Sequence, residues 1–139
     1  MKSVFLLVTL MFFTFGSAQS VFGKWKTVDD ETGEEKSIIE IFEKNGKVFG
    51  KVIEILTNNP DAVCSKCEGT EKNQPILGLH LIKEMTKDGK YYKNGTIFDP
   101  NKGKKYKCRL YVDPEKPNQL QVRGYIGFLY KSQYWIRVN

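Results

Sequence analysis

Beyond residue 20 the chain alternates. Short runs of Val, Ile, Phe and Tyr, in which apolar and polar positions exchange with a period of two, are separated by turn residues, and no stretch repeats apolar residues at helical spacing over several turns. The pattern predicts eight strands, at 22–28, 37–43, 48–56, 77–84, 91–98, 104–112, 119–129 and 134–138. Glu31-Thr32-Gly33, Lys44-Asn45-Gly46, Lys87-Asp88-Gly89 and Asn101-Lys102-Gly103 each put a glycine where a tight turn needs positive φ. Connections this short pair neighbouring strands antiparallel. Asp99-Pro100 and Asp113-Pro114 end two strands, because proline removes a ladder donor and biases its predecessor away from helix. Asp99 is expected to make an Asx-type turn there, with a ligand contact at a barrel mouth as its other reading.

A meander of eight strands has two open edges unless the last strand meets the first, and open edges invite aggregation. The expected fold class is therefore all-β, a small antiparallel up-and-down barrel whose interior is filled by side chains or holds one small ligand. An open, strongly curved sheet or sandwich is the alternative. Residues 38–42 and 48–55 carry apolar groups on both faces, so the pattern leaves their inward face open. One long connection, residues 57–76, holds two of the three cysteines, and loops of that length are usually functional or need tying down.

The start of the chain has a different character. Met1-Lys2-Ser3 is basic, residues 4–15 are largely apolar, and Gly16-Ser17-Ala18 offers small residues for cleavage. That is the pattern of a secretory signal peptide at 1–18, leaving one domain at 19–139. A helix that spans a bilayer needs roughly 20 apolar residues, so no transmembrane anchor is expected. The protein is expected to be exported, to a periplasm or outside the cell. The whole chain carries 22 Lys and Arg, 16 Asp and Glu, and a net charge of +6. Its basic residues are interleaved with acids, unlike a phosphate-tracking face, so no nucleic-acid partner is expected. The one basic run, Lys102-Gly103-Lys104-Lys105, reads as a solvated turn.

Cys64 and Cys67 form a C-x-x-C, and Cys108 stands apart. In an oxidising compartment Cys64 and Cys67 are expected to pair as a local staple. A zinc site would need Cys108 and the single histidine, His80, to join them, and a second closely spaced pair is missing. A reactive dithiol would need the helix terminus of a βαβ unit, which the pattern does not contain. Cys108 shares a strand face with Tyr106 and Leu110 and reads as a buried small hydrophobe. His80 reads as a packed histidine. No nucleophile elbow, P-loop, dinucleotide fingerprint or H-E-x-x-H occurs, so no catalytic residue, metal or cofactor is assigned.

Aromatic and arginine residues are the remaining candidates. Gly23-Lys24-Trp25 opens the first strand and Tyr134-Trp135-Ile136-Arg137 closes the last. The arrangement is similar to lipocalin and calycin barrels, where a G-x-W and a late arginine pack across the closed end; the resemblance implies a cation–π plug between Trp25 and Arg137. Candidate ligand contacts are Trp25, Asp99, Arg123, Tyr125, Trp135 and Arg137.

G-K-W, F-E-K-N-G-K-V-F-G-K-V, C-S-K-C, P-I-L-G-L, N-G-T-I-F-D-P-N-K-G-K-K-Y, L-Q-V-R-G-Y-I-G and the final W-I-R follow one another across residues 23–137. In that order they resemble the DUF2147 family of exported bacterial proteins, a family of uncharacterised function. The resemblance implies an exported β-domain and carries over no catalytic residue. Residues 127–132, GFLYKS, depart from the glycine- and arginine-richer form of the family. The leading expectation is non-covalent binding of a small, partly apolar molecule or a cell-envelope component by a monomer, with a dimer as the alternative. A thiol-redox protein or enzyme using the cysteine loop with Asp99 or His80, and a protein-interaction module of the envelope, are the competing readings.

Overall fold

A computed structural model describes residues 20–139; the expected signal peptide at 1–18 lies outside the described residues. The strands are β1 (Gly23–Val28), β2 (Glu35–Lys44), β3 (Lys47–Ile55), β4 (His80–Asp88), β5 (Tyr91–Asp99), β6 (Lys104–Tyr111), β7 (Gln119–Ile126) and β8 (Leu129–Val138). Each pairs antiparallel with the next, and β8 returns to β1 to close the barrel. Successive turns therefore alternate between two poles. The β2–β3, β4–β5 and β6–β7 connections share one pole with the start of β1 and the end of β8. The β1–β2, β3–β4, β5–β6 and β7–β8 connections share the other.

Strand limits depart most from the expectation in three places, the first being the end of β4, which runs on from Glu84 to Asp88. Residues 77–79 belong to the loop, because Gly78 donates its N–H to the Val52 carbonyl at 2.8 Å before the β4 ladder begins. Residues 119–138 contain a hairpin that the apolar run Ile126-Gly127-Phe128-Leu129 conceals. Gly127, at φ 59°, reverses the chain in two residues, so that Ile126 pairs with Leu129.

Register settles which face points inward. Trp25 stands opposite Ile39, Ile41 opposite Gly50, and Leu120 opposite Trp135, and their inward side chains meet Val52, Ile82, Met85, Leu110 and Val122 in one buried cluster. Burying each large apolar side chain contributes about 1.5–3 kcal/mol. A bulge between Ile38 and Ile39 shifts the β2–β3 register, which accommodates the apolar residues on both sides of these strands. Phe42 and Phe49 then face out and pack around His80, at centroid distances of 5.7 and 6.1 Å respectively.

Strands β4 and β5 approach unusually closely. Glu84 and Asn94 both take positive φ, 60° and 66°, where the two strands bend, and Gly95 lies against the backbone of Lys83 and Met85. Only a residue without a Cβ fits there. The interior is apolar while charged side chains such as Lys24, Glu40 and Lys83 are at least partly exposed, the reverse of a channel-type membrane barrel. Among the described residues no helix is long and apolar enough to cross a membrane.

Candidate functional site

One pole is plugged. The Trp25 indole N–H donates to the Val21 carbonyl at 2.8 Å, and the Arg137 guanidinium carbon lies 4.2 Å from the Trp25 ring centroid. Arg137 spends its donors on three carbonyls, with Nε to Pro117 at 3.2 Å, Nη1 to Phe22 at 3.2 Å and Nη2 to Ser20 at 2.7 Å. First strand, last strand and the β6–β7 loop are thereby tied together. Phe22 extends the plug by an edge-on contact with Tyr92.

The cysteine loop lies at the other pole. Cys64 and Cys67 are joined, with Cα atoms 5.3 Å apart, and both are buried. They pack with Leu79, Ile76, Leu81 and Phe98 in a small second cluster. Leu81 and Phe98 alternate with the inward Ile82 and Ile97, so the loop is strapped to the outside of the barrel wall. The Cys64 amide donates to the Gln74 carbonyl and its carbonyl accepts from Asn73, both at 2.8 Å, which folds the loop around the sulfur pair. Lys66 Nζ donates to the Asn101 carbonyl at 2.6 Å, and a Cβ on Gly103 would stand 2.8 Å from Lys66 Cβ. The loop is held against the β5–β6 turn, and the pair of cysteines is its staple.

Cys108 is buried inside the barrel, and the low-polarity surroundings push its thiol up to about 12. His80 is on the outer wall, where partial burial first, then Lys83 and Lys51, depress its basicity. Cys108, His80 and the cysteine pair thus occupy three separate places. Among the described residues no group of three or more His, Cys, Asp or Glu is placed to hold a metal ion.

The opening is lateral. The β6–β7 ladder stops at Lys107 opposite Tyr125. Beyond that point β6 continues against β5, with Tyr106 opposite Ile97, and β7 continues against β8, with Ile126 opposite Leu129. The two hairpins part, and an open cleft of about 450 Å³ lies between them, lined by Lys104, Lys105, Tyr106, Lys107, Tyr125, Ile126 and Gly127. Three ammonium groups and two phenol rings line it with no carboxylate. None of these lysines forms a salt bridge among the described residues. A second, smaller cleft of about 120 Å³ lies on the outer wall at Tyr111, Asp113, Lys116, Gln119, Gln121 and Tyr134, and its charges are mixed.

The six candidate residues separate accordingly. Trp25 and Arg137 form the plug, and Trp135 is buried in the core, its indole N–H without an acceptor among the described residues. Tyr125 lines the cleft. Arg123 stacks on Tyr130 at 4.1 Å and donates to Ser132 Oγ at 3.0 Å on the outer wall. Asp99 caps the β5–β6 turn, its Oδ1 accepting from Asn101 and Lys102 at 2.9 and 3.3 Å. That turn starts the strand whose lysines line the cleft, so Asp99 shapes the site from behind. The three lysines and Tyr106 were absent from the candidates; the alternation of basic and aromatic residues in Lys104-Lys105-Tyr106-Lys107 is the signal that marks them.

Residues 23–137 match the model of a family described as an uncharacterized protein conserved in bacteria, DUF2147. No curated protein matches the sequence. Among solved structures the chain is similar to HP1028 of Helicobacter pylori, described as a human-pathogen protein belonging to the lipocalin family, with a TM-score of 0.74 and 20% identity over 86% of this chain and 84% of that one. At that identity the likeness shows the fold: a lipocalin-like barrel.

Proposed function

The chain belongs to the DUF2147 family, and on that premise we propose that it is an exported binding protein which takes a small, anionic, partly apolar molecule into the cleft between β6 and β7. The carrying observation is the composition of that cleft. Lys104, Lys105 and Lys107 supply donors and positive charge, Tyr106, Tyr125 and Ile126 supply apolar surface, and no acid opposes an anion. The lipocalin-like fold supports a small-ligand role, since barrels of this size hold at most one small guest. Here the interior is occupied by Trp25, Trp135, Met85 and their neighbours, which moves the binding surface to the mouth. Export is supported by the basic, apolar and small-residue order of residues 1–18, and the disulfide is in keeping with an oxidising compartment. The buried, paired state of Cys64 and Cys67 favours a staple over a thiol-redox function.

The test is titration of the protein with monomeric dodecyl phosphate and with dodecanol, followed by calorimetry or by amide chemical shifts. Saturable binding of the phosphate is expected, weakened roughly tenfold or more in a Lys104→Ala, Lys105→Ala, Lys107→Ala triple variant. Equal binding of dodecanol, or an unaffected triple variant, would overturn the assignment.

A further inference from the structure

Among the described residues, six of the eight large apolar side chains that stand exposed belong to the β7–β8 hairpin, Ile126, Phe128, Leu129 and Tyr130 at its tip and Tyr134 and Ile136 further along β8. Phe128, at the tip, is 94% exposed, and Leu129 beside it 62%. Monomeric proteins rarely leave a contiguous apolar patch without a partner. The hairpin is also unpaired along part of both edges. The β6–β7 ladder ends at Tyr125, and the β1–β8 ladder joins only Lys24–Lys26 to Ile136–Val138, so the tip and the first half of β8 carry no ladder to either flanking strand.

The surroundings of the tip combine three kinds of group. Behind the apolar apex stand Tyr125 and Tyr130, whose rings lie 6.2 Å apart; on the β6 side the exposed Lys107 is level with Tyr125, and the exposed Lys104 and Lys105 lie further toward the apex, across the cleft from Ile126 and Gly127. Apolar residues flanked by phenol rings and ammonium groups are the set that meets the acyl boundary, the interface and the anionic headgroups of a bilayer. On the β8 side Lys131 is paired with Asp30 at 3.2 Å, and Asp29 and Glu31 stand in the same turn. The positive potential is therefore confined to the β6 side. We propose that the β7–β8 hairpin docks on an anionic lipid surface, with Phe128 and Leu129 entering the acyl boundary and Lys104, Lys105 and Lys107 contacting headgroup phosphates. The barrel leans toward β6 as it docks, which keeps the acidic β1–β2 turn away from the membrane. Lysines near such a surface attract it electrostatically, and burial of a phenylalanine adds a hydrophobic contribution. Neither alone anchors a protein; together they give reversible attachment. The inference shares its lysines with the ligand cleft and rests on a separate observation, the exposed apex.

The experiment is flotation of the protein with vesicles of phosphatidylglycerol and phosphatidylcholine in equal parts, against phosphatidylcholine alone. Binding to the anionic vesicles only is expected, falling roughly tenfold in a Phe128→Ser, Leu129→Ser variant. Both residues are exposed, so the variant keeps its fold. A Phe128→Trp variant gives an independent signal: Trp25 and Trp135 are buried, so a blue shift on adding anionic vesicles reports the tip. Equal binding to neutral vesicles, or an unaffected serine variant, would overturn the proposal. So would a dimer that the serine substitutions dissolve in the absence of vesicle binding, since a second copy then covers the tip. Titration of the serine variant with dodecyl phosphate separates the two readings, because neither residue lines the cleft and soluble binding should be unchanged.

Discussion

The Arg137 guanidinium lies over the Trp25 ring, its carbon 4.2 Å from the centroid, while it donates to the carbonyls of Ser20, Phe22 and Pro117. A lysine can keep the charge at this point but cannot hold three diverging carbonyls and a ring face together. Removing the side chain leaves carbonyls at the plug short of donors and withdraws the cation from the ring. Arg137→Ala is expected to destabilise the barrel by about 2–4 kcal/mol, with Arg137→Lys between it and the parent. Urea unfolding followed by tryptophan fluorescence gives the order directly.

Gly95 and Gly124 offer a matched pair of substitutions. A Cβ at Gly95 would overlap the Lys83 carbonyl and the Met85 sulfur and stand 2.7 Å from the Met85 amide nitrogen, and backbone atoms in a ladder have nowhere to move. A Cβ at Gly124 would meet only the Tyr106 side chain, at ordinary van der Waals distances of 3.7 and 4.0 Å. Gly95→Ala should cost more than about 2 kcal/mol by overpacking, whereas Gly124→Ala should be close to neutral. Comparable melting temperatures for the two variants would contradict the pinch between β4 and β5.

The sulfurs should titrate as one hidden thiol and one bridge. Without reductant, the native protein is expected to give no reaction with a thiol reagent at neutral pH, and to expose one reactive group, Cys108, on unfolding. Cys64→Ser with Cys67→Ser should lower stability by no more than about 2 kcal/mol, since the ring it opens is small. The β3–β4 loop should then become the first site of proteolysis. Because the folded thiol of Cys108 is held near 12, above its ordinary 9, the unfolded chain loses its proton first as pH rises. Cys108 therefore makes stability fall above about pH 9.

At the acid side the same linkage runs through His80. Burial and neighbouring lysines lower its basicity, so in a window below its ordinary value of 6.5 the unfolded chain binds the extra proton. Its contribution is complete above that value and is lost as pH falls through the lower folded one. Asp29, its carboxyl held down by the amides of Thr32 and Glu31, acts only below about 3.8. The urea midpoint of the parent should therefore drop between pH 7 and pH 5 more than that of His80→Phe.

The closure of the barrel was legible because Trp25 and Arg137 sit on the first and last strands and have a physical reason to meet. Asp99 was legible for a local reason, as Asp-Pro followed by Asn-Lys-Gly contains the donors its carboxylate needs. The cleft was not. It exists because two ladders stop at different places, and a ladder's end depends on cross-strand register, which no single strand encodes. Lys104 and Lys105 looked like solvent-facing turn residues; they are solvent-facing but open strand β6, and their position beside Tyr125 and Ile126 turns them into a site. The β7–β8 turn escaped because Gly127 is flanked by apolar residues, where a polar companion usually marks a reversal.

Ser20 and Val138 lie at the same pole, and the exposed apex of β7–β8 lies at the opposite one. A surface tether or reporter grafted at Ser20 or Val138 emerges behind the plug, so immobilising the barrel through that pole displays the mouth outward. For a barrel cut to residues 20–138, the same geometry lets a brief linker splice Val138 back to Ser20 and move new ends into another turn, a rearrangement that leaves the Arg137 junction intact.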